Sequence, residues 1–390
     1  MAKNGNNSFS WRKLFNDFHL WMGIGSGLIL FVVCLSGTIY AFRTEIEKLL
    51  EPSSFRIEQA DKSKRLTTET IFTQLQEEPG GIITSVSIPF AADEPYKVSI
   101  KASAEEKRGT TYLVNPYSGE VLGTPKGPAS AFFSTVFKLH RWLLMERSTG
   151  RIIVGIATII FVFIILTGWV LWWPRKLRNL KQSLTVKTSA NWKRVNHDLH
   201  NSLGFYASFL LMIMALSGLC WSFEWYRDGL EAVLGTKVFG SRGGEEVSSQ
   251  AEADAFPLSV EALIDKSEAY LSYPGDYTIY LPAGEEEAVK VIKYPKVSFA
   301  GLTAYDLLKL DQYSGELLLK DIYADRPFNE KISTMIKPIH TGEVFGTFSK
   351  ILYFLASLIG TSLPVTGVLI WVNKLKKKSR KRQQTSMATS

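Results

Sequence analysis

Apolar residues in this chain are bunched rather than evenly spread. Four runs, Leu20–Phe42, Ile152–Trp173, Leu203–Trp225 and Lys350–Val372, are long enough to cross a hydrocarbon core of about 30 Å, which takes roughly 20 helical residues. The last run is apolar after its first residue. Asp17 stands where a carboxylate can cap the first helix. Between the first two runs the pattern is that of a small α+β domain. Leu66–Gln76 has helical periodicity, Pro79-Gly80-Gly81 ends it, and Ile82–Pro89, Tyr96–Ala102 and Thr110–Val114 alternate like strands. A further helix is predicted over residues 131–147, with Ser148-Thr149-Gly150 as its interruption. The order then returns. Ser259 caps a helix through Tyr270, Pro274-Gly275 stops it, and Tyr277–Leu281, Ala288–Tyr294 and Leu307–Leu310 read as strands. Glu330–His340 is the last predicted helix before the fourth run.

Short motifs mark the repetition. Asp17-Phe18-His19-Leu20-Trp21-Met22-Gly23 recurs as Asp198-Leu199-His200-Asn201-Ser202-Leu203-Gly204, and in both copies Ser-Gly begins seventeen residues after the histidine, at Ser36-Gly37 and Ser217-Gly218. The turn Tyr117-Ser118-Gly119-Glu120 recurs 196 residues later as Tyr313-Ser314-Gly315-Glu316. The second and fourth runs end alike, in Thr167-Gly168-Trp169-Val170-Leu171-Trp172 and Thr366-Gly367-Val368-Leu369-Ile370-Trp371. Span, α+β segment, span is therefore written twice. The expected organisation is a tail (1–19), a span (20–43), an α+β domain (44–130), an interfacial helix (131–149), a span (150–173), a basic loop (174–199), a span (200–225), a second α+β domain (226–338), an interfacial segment with the fourth span (339–372), and a basic tail (373–390).

Charge sets the expected orientation. Residues 1–19, 174–200 and 373–390 carry 17 of the 45 Lys and Arg but only 2 of the 37 acids. The positive-inside rule places these three segments in the cytoplasm. The formal net charge of +8 is thus a topology signal, and nucleic-acid binding need not be invoked. The first run is too long for a signal-peptide core and has no A-x-A-like site before Arg43, so it is expected to be retained. Trp172, Trp173 and Trp371 are expected at the inner headgroups. Cys34 and Cys220 both fall inside spans and imply no disulfide framework and no zinc knot. There is no C-x-x-C-H, no G-x-G-x-x-G opening a helix and no P-loop, so any haem is held non-covalently and no dinucleotide or ATP site is legible.

All five histidines, His19, His140, His197, His200 and His340, lie at or just before a predicted span. The first and third spans start at the cytoplasmic face, which sets His19 and His200 at one depth. The second and fourth start outside, which sets His140 and His340 at the other. Each pair can offer two imidazoles from facing helices, the axial ligation of a six-coordinate b-type haem. Two haems, one per leaflet, are expected. His197, about one helical turn before His200, reads as a surface or supporting group, or as an alternative ligand to His200. Arg12, Lys13, Lys193 and Arg194 are candidate propionate partners near the first pair, as are Arg141 and Arg151 near the second. A zinc centre needs three or four converging donors, and two histidines per face fall short. A transporter needs mid-membrane charges, which these spans lack. Small residues such as Gly23, Gly25, Ser26 and Gly27 serve helix packing as readily as a flat macrocycle.

The D-x-H-x-x-x-G motif with its trailing Ser-Gly, the Thr-Gly-Trp-Val-Leu-Trp-Trp-Pro-Arg ending and the paired Tyr-Ser-Gly-Glu turns resemble the PepSY-associated transmembrane family. The likeness covers nearly the whole chain. It implies a four-span bacterial inner-membrane protein with two PepSY-like periplasmic domains, similar to dihaem ferric-siderophore reductases of iron acquisition. Carried over to this chain, it implies His19 with His200 and His140 with His340 as haem-iron ligands. Some relatives carry a fused flavodoxin-type domain and this chain does not, which leaves the donor as a separate reductase or a quinol. The expectation is electron transfer to a ferric chelate outside. The alternative is a non-enzymatic membrane anchor whose external domains bind or inhibit a protein partner.

Overall fold

A computed structural model describes residues 10–50, 56–57, 64–239, 246–250, 256–296 and 304–389. Lys3, part of the basic N-terminal count, lies outside the described residues. The chain forms two compact units, Met1–Phe42 with Phe132–Leu230 and Ile336–Ser390, and Arg43–Ala131 with Glu231–Met335.

The first unit is helical. It holds α1 (Trp11–Tyr40), and α2 (Arg43–Leu50) follows α1 into the second unit. In the second unit, α3 (Thr68–Glu77) leads to β1 (Ile82–Ile88), β2 (Tyr96–Lys101), β3 (Thr110–Val114) and β4 (Val121–Gly123). Then come α4 (Ser130–Trp142), α5 (Arg147–Trp172), α6 (Leu180–Leu184), α7 (Trp192–Asp198), a π turn (Leu199–Leu203) and α8 (Gly204–Ser222). After α9 (Glu224–Leu234) the chain makes α10 (Val260–Glu268), β5 (Gly275–Tyr280), β6 (Val289–Pro295), β7 (Asp306–Leu310) and β8 (Leu317–Asp321). It ends in α11 (Phe328–Thr341) and α12 (Gly346–Thr389).

Four stretches are long and apolar enough to cross a membrane: Trp11–Tyr40, Arg147–Trp172, Trp192–Ser222 and Glu343–Thr385. These are the four expected runs, with longer helices. The first helix begins at Trp11 with Ser10 in the capping position, so Asp17 lies inside it and does not cap it. No Pro or Gly follows Gly367, and the Lys/Arg/Gln-rich tail keeps helical propensity, so α12 runs on through it. Within the unit α1 packs against α5 and α12, and α8 packs against the same two. The helices form a ring in which α1 lies diagonal to α8, and α5 to α12.

The α4–α5 connection differs from expectation. The break falls at Leu143 and Leu144, both with left-handed φ of 55° and 58°, and Ser148-Thr149-Gly150 lies inside α5. Two consecutive left-handed leucines are strained, by about 1–2 kcal/mol each. They reverse the chain so tightly that a Cβ on Gly150 would run into the Trp142 carbonyl oxygen. Only glycine permits that approach.

In the second unit the strands form one antiparallel sheet of order β4-β3-β2-β1-β5-β6-β7-β8. The two expected α+β segments are its halves. They join where β1 meets β5, with Val86 opposite Ile279. One hydrophobic core runs through both, including Ile71, Leu75, Val86 and Val98 from the first and Leu263, Ile279, Val291 and Leu308 from the second. Joining the halves covers two strand edges that would otherwise be open to pairing. The caps at Thr67 and Ser259 accept from the backbone N–H of Thr70 and Ala262. Both Tyr-Ser-Gly-Glu turns close hairpins on left-handed glycines, Gly119 at φ 76° and Gly315 at φ 70°. The strands that follow them, β4 and β8, were not expected: β4 has three residues, and Leu317–Asp321 shows no apolar–polar alternation.

Candidate functional site

The first unit brings four of the five histidines into two facing pairs. His19 on α1 and His200 on the π turn before α8 have ring centroids 6.5 Å apart. His140 on α4 and His340 on α11 have centroids 6.2 Å apart. Each pair combines one residue from each of the two repeats. Along α1 the level of His19 and that of Gly37, which abuts His140, are separated by roughly 27 Å of helix rise. The pairs therefore lie toward opposite ends of the bundle.

A shared local device holds each ring. His19 Nδ1 is 3.1 Å from the Ile164 carbonyl oxygen and 3.0 Å from Thr167 Oγ1. His140 Nδ1 is 2.9 Å from the Val33 carbonyl and 3.5 Å from Ser36 Oγ. His340 Nδ1 is 2.9 Å from the Met214 carbonyl and 3.1 Å from Ser217 Oγ. His200 Nδ1 is 2.8 Å from Thr366 Oγ1. A carbonyl can only accept, so Nδ1 carries the proton. The hydroxyls already donate along their own helices, Thr366 to Ser362 and Leu363 for example, so they too accept from the ring. Every hydrogen bond found to these four rings among the described residues uses Nδ1, which leaves Nε2 as the free lone pair.

The glycine after each hydroxyl residue makes the contact possible. A Cβ on Gly168, Gly367, Gly37 or Gly218 would lie 3.4, 3.3, 3.0 and 3.1 Å from Cε1 of His19, His200, His140 and His340 respectively. In each case the glycine stands four residues after the carbonyl or its equivalent and exposes the helix backbone to the imidazole. The Ser-Gly and Thr-Gly dipeptides that mark the repeats in sequence are thus the supports of the histidines. Within each repeat the helices exchange support: Thr167-Gly168 holds His19, and Ser36-Gly37 holds His140. That reciprocity was not legible beforehand, although the four dipeptides at repeated positions were the signal.

A cavity of about 390 Å³ surrounds the first pair. Gly23, Gly27, Gly168, Gly204, Gly360 and Gly367 thin its walls, and Phe161, Trp169, Trp172, Phe205 and Trp371 make them aromatic. Its polar lining beyond the two imidazoles includes Arg12, Asn16, His197 and Lys374. Arg12 also donates to the Leu171 and Trp173 carbonyls, fastening the end of α5. His197 lines the cavity but is mostly exposed, with Nδ1 3.6 Å from Asp198, and the ring facing His19 is that of His200. Arg194 is not part of this lining; its Nε holds the buried Asp198 carboxylate at 2.8 Å. Trp172 is buried rather than placed in a headgroup belt. It stacks on Phe205 at 3.5 Å and donates to the Ser183 carbonyl. Trp173 is exposed as expected. Near the second pair, the Arg141 guanidinium rests over Phe137 and Trp142 at 5.6 and 5.8 Å.

Long apolar helices in a ring define a multi-span membrane protein. A family model described as the PepSY-associated TM region matches residues 17–374, and the chain belongs to that family. No curated protein matches it.

Proposed function

We propose that the helical unit is a dihaem b-type electron conduit of the bacterial inner membrane, with both termini cytoplasmic, and that it reduces a ferric chelate on the periplasmic side. The observation that carries this reading is the pairing of four Nδ1-protonated imidazoles at centroid separations of 6.5 and 6.2 Å. Two imidazoles on opposite sides of one metal, each bonded through Nε2 at about 2 Å, have ring centroids roughly 6.3 Å apart. The donor set also fits. Among the described residues no group of three His, Cys, Asp or Glu converges to hold an ion. A porphyrin brings its own four nitrogens and asks the protein only for the axial two.

Bound there, haem iron supplies a reversible one-electron change. The chain's residues do the rest. His19 with His200 and His140 with His340 would hold the iron through their Nε2 lone pairs, one imidazole from each repeat. The Ser/Thr-Gly supports fix the tautomer and ring orientation, as partners behind a metal-ligating histidine do generally. The apolar wall of the first cavity excludes water and leaves Arg12 and Lys374 to meet the carboxylates of the ring. Fe(III) bound by hard oxygen donors is loosened on reduction, because Fe(II) has the lower charge density. Electrons enter near His19 and His200, from a quinol or a separate reductase, and leave near His140 and His340.

The test is a reduced-minus-oxidised spectrum with haem quantitation on the purified chain. Two haems per chain are expected for the wild type and one for His340→Ala. A colourless protein would return the chain to the anchor reading.

A further inference from the structure

We infer that Arg141, Arg147 and Arg151 form an anion site beside the second histidine pair, and that the exposed Arg147 with the half-buried Arg151 binds the carboxylates of a negatively charged ferric chelate. The inference rests on the function proposed above and names its substrate class.

Three rules of charge placement are broken together here. On the proposed orientation these arginines lie at the exported end, where basic residues are depleted. Arg147 and Arg151 occupy the N-terminal part of α5, the positive end of its dipole, where cations are disfavoured. They are also i,i+4 neighbours of like charge. Arg147 and Arg151 both lie within electrostatic range of Arg141, and Arg141 lies within range of the His340 ring. Among the described residues no carboxylate lies within ion-pair distance of Arg141 or Arg147, and Arg151 has only Glu224, at 3.8 Å. Arg151 Nε is buried with no hydrogen-bond partner. Glu146, the nearest acid in sequence, accepts from Ser148. Such a cluster is stabilised by an anion, and the fork geometry of guanidinium suits carboxylate oxygens.

The other repeat sharpens the point. Thr341, Gly346 and Lys350 stand at the corresponding positions. Lys350 is buried, 3.8 Å from Glu343 and over the Phe42 ring. The cationic cluster therefore belongs to one repeat and not to the shared architecture.

Carboxylates could come from the chelate or from the porphyrin's own propionates, and the test separates them. Gallium citrate is a redox-inert stand-in for ferric citrate. Its binding to the full-length protein in non-ionic detergent is measured by calorimetry, beside haem content and the potential of each haem. Arg147→Gln with Arg151→Gln is expected to weaken gallium citrate binding at least about tenfold. The same variant is expected to keep both haems and both potentials, and Arg147→Lys with Arg151→Lys to recover part of the binding. Unchanged gallium citrate binding would overturn the inference. So would loss or shift of the second haem with chelate binding intact, which assigns the cluster to the propionates. Colourless protein whose gallium citrate binding still depends on Arg147 and Arg151 would retain the anion site and sink the electron conduit.

Discussion

An imidazole has two nitrogens, and which one carries the proton decides what the other can do. In this chain a neighbouring helix makes that choice four times, through a carbonyl for His19, His140 and His340 and through the Thr366 hydroxyl for His200. A glycine uncovers the helix backbone, a neighbouring Ser or Thr adds a hydroxyl, and in three of the four cases the ring turns Nδ1 toward a carbonyl as well. Replacing Thr366 by Val keeps the shape and removes the acceptor of His200. On the proposed dihaem reading, haem retention at the first pair is expected to fall about tenfold or more, read from haem content after dilution or competition with apomyoglobin. A second residue-scale case lies in the sheet. Burial pushes the Asp311 carboxyl up, but the backbone N–H groups of Ser314, Gln250 and Tyr313 outweigh it and hold the group below the usual carboxylate range. A depressed folded-state value means stability that is present above the ordinary carboxylate pKa of about 3.9 and is lost as pH falls through the lower folded-state value. Asp311→Asn is expected to lower the melting temperature at pH 7. The gap to wild type should narrow below about pH 4.

At the scale of elements, the positions of the histidine-bearing helices depend on tight turns. The α4–α5 hairpin holds His140 at the head of the second span, and it closes only because Gly150 has no side chain. Gly150→Ala forces a carbon into the Trp142 carbonyl, and overpacking of this kind costs about 1–3 kcal/mol or more. A lower melting temperature is expected and, on the proposed dihaem reading, weaker haem retention at the second pair with the first unaffected. In the sheet, Ile279 is fully buried where the halves join. Ile279→Ala is expected to cost about 2–5 kcal/mol by leaving a cavity, measured by thermal unfolding. Helix and strand positions were largely legible in sequence, because periods of 3.6 and 2 report which face is apolar. The turn at Leu143-Leu144 was not, since leucine carries no turn signal and its left-handed backbone is imposed by packing.

At the scale of the molecule, two repeats cross-pair. Each repeat holds its own histidines in place, yet neither completes a pair, so both repeats are needed to bring each pair together. Combined substitutions read this directly. His19→Ala with His200→Ala is expected to lose one haem, and His19→Ala with His140→Ala to lose both, by haem quantitation. Loss of both haems in the first double variant would mean that the pairs are not separate sites. The same logic governs the sheet, where two four-stranded halves share one core.

The sequence by itself determined the spans, the repeat, the strands that precede each Tyr-Ser-Gly-Glu turn and the histidines' places at span ends. These follow from hydropathy, periodicity and spacing, which are local properties. Tertiary structure alone decided that the strand sets merge into one sheet, that Arg194 serves Asp198, that Trp172 is buried, and that each Ser/Thr-Gly supports the histidine of a neighbouring helix. Those outcomes depend on which surfaces meet. A run of residues records its own preference for water or apolar surroundings, and it carries no record of the partner that will cover it.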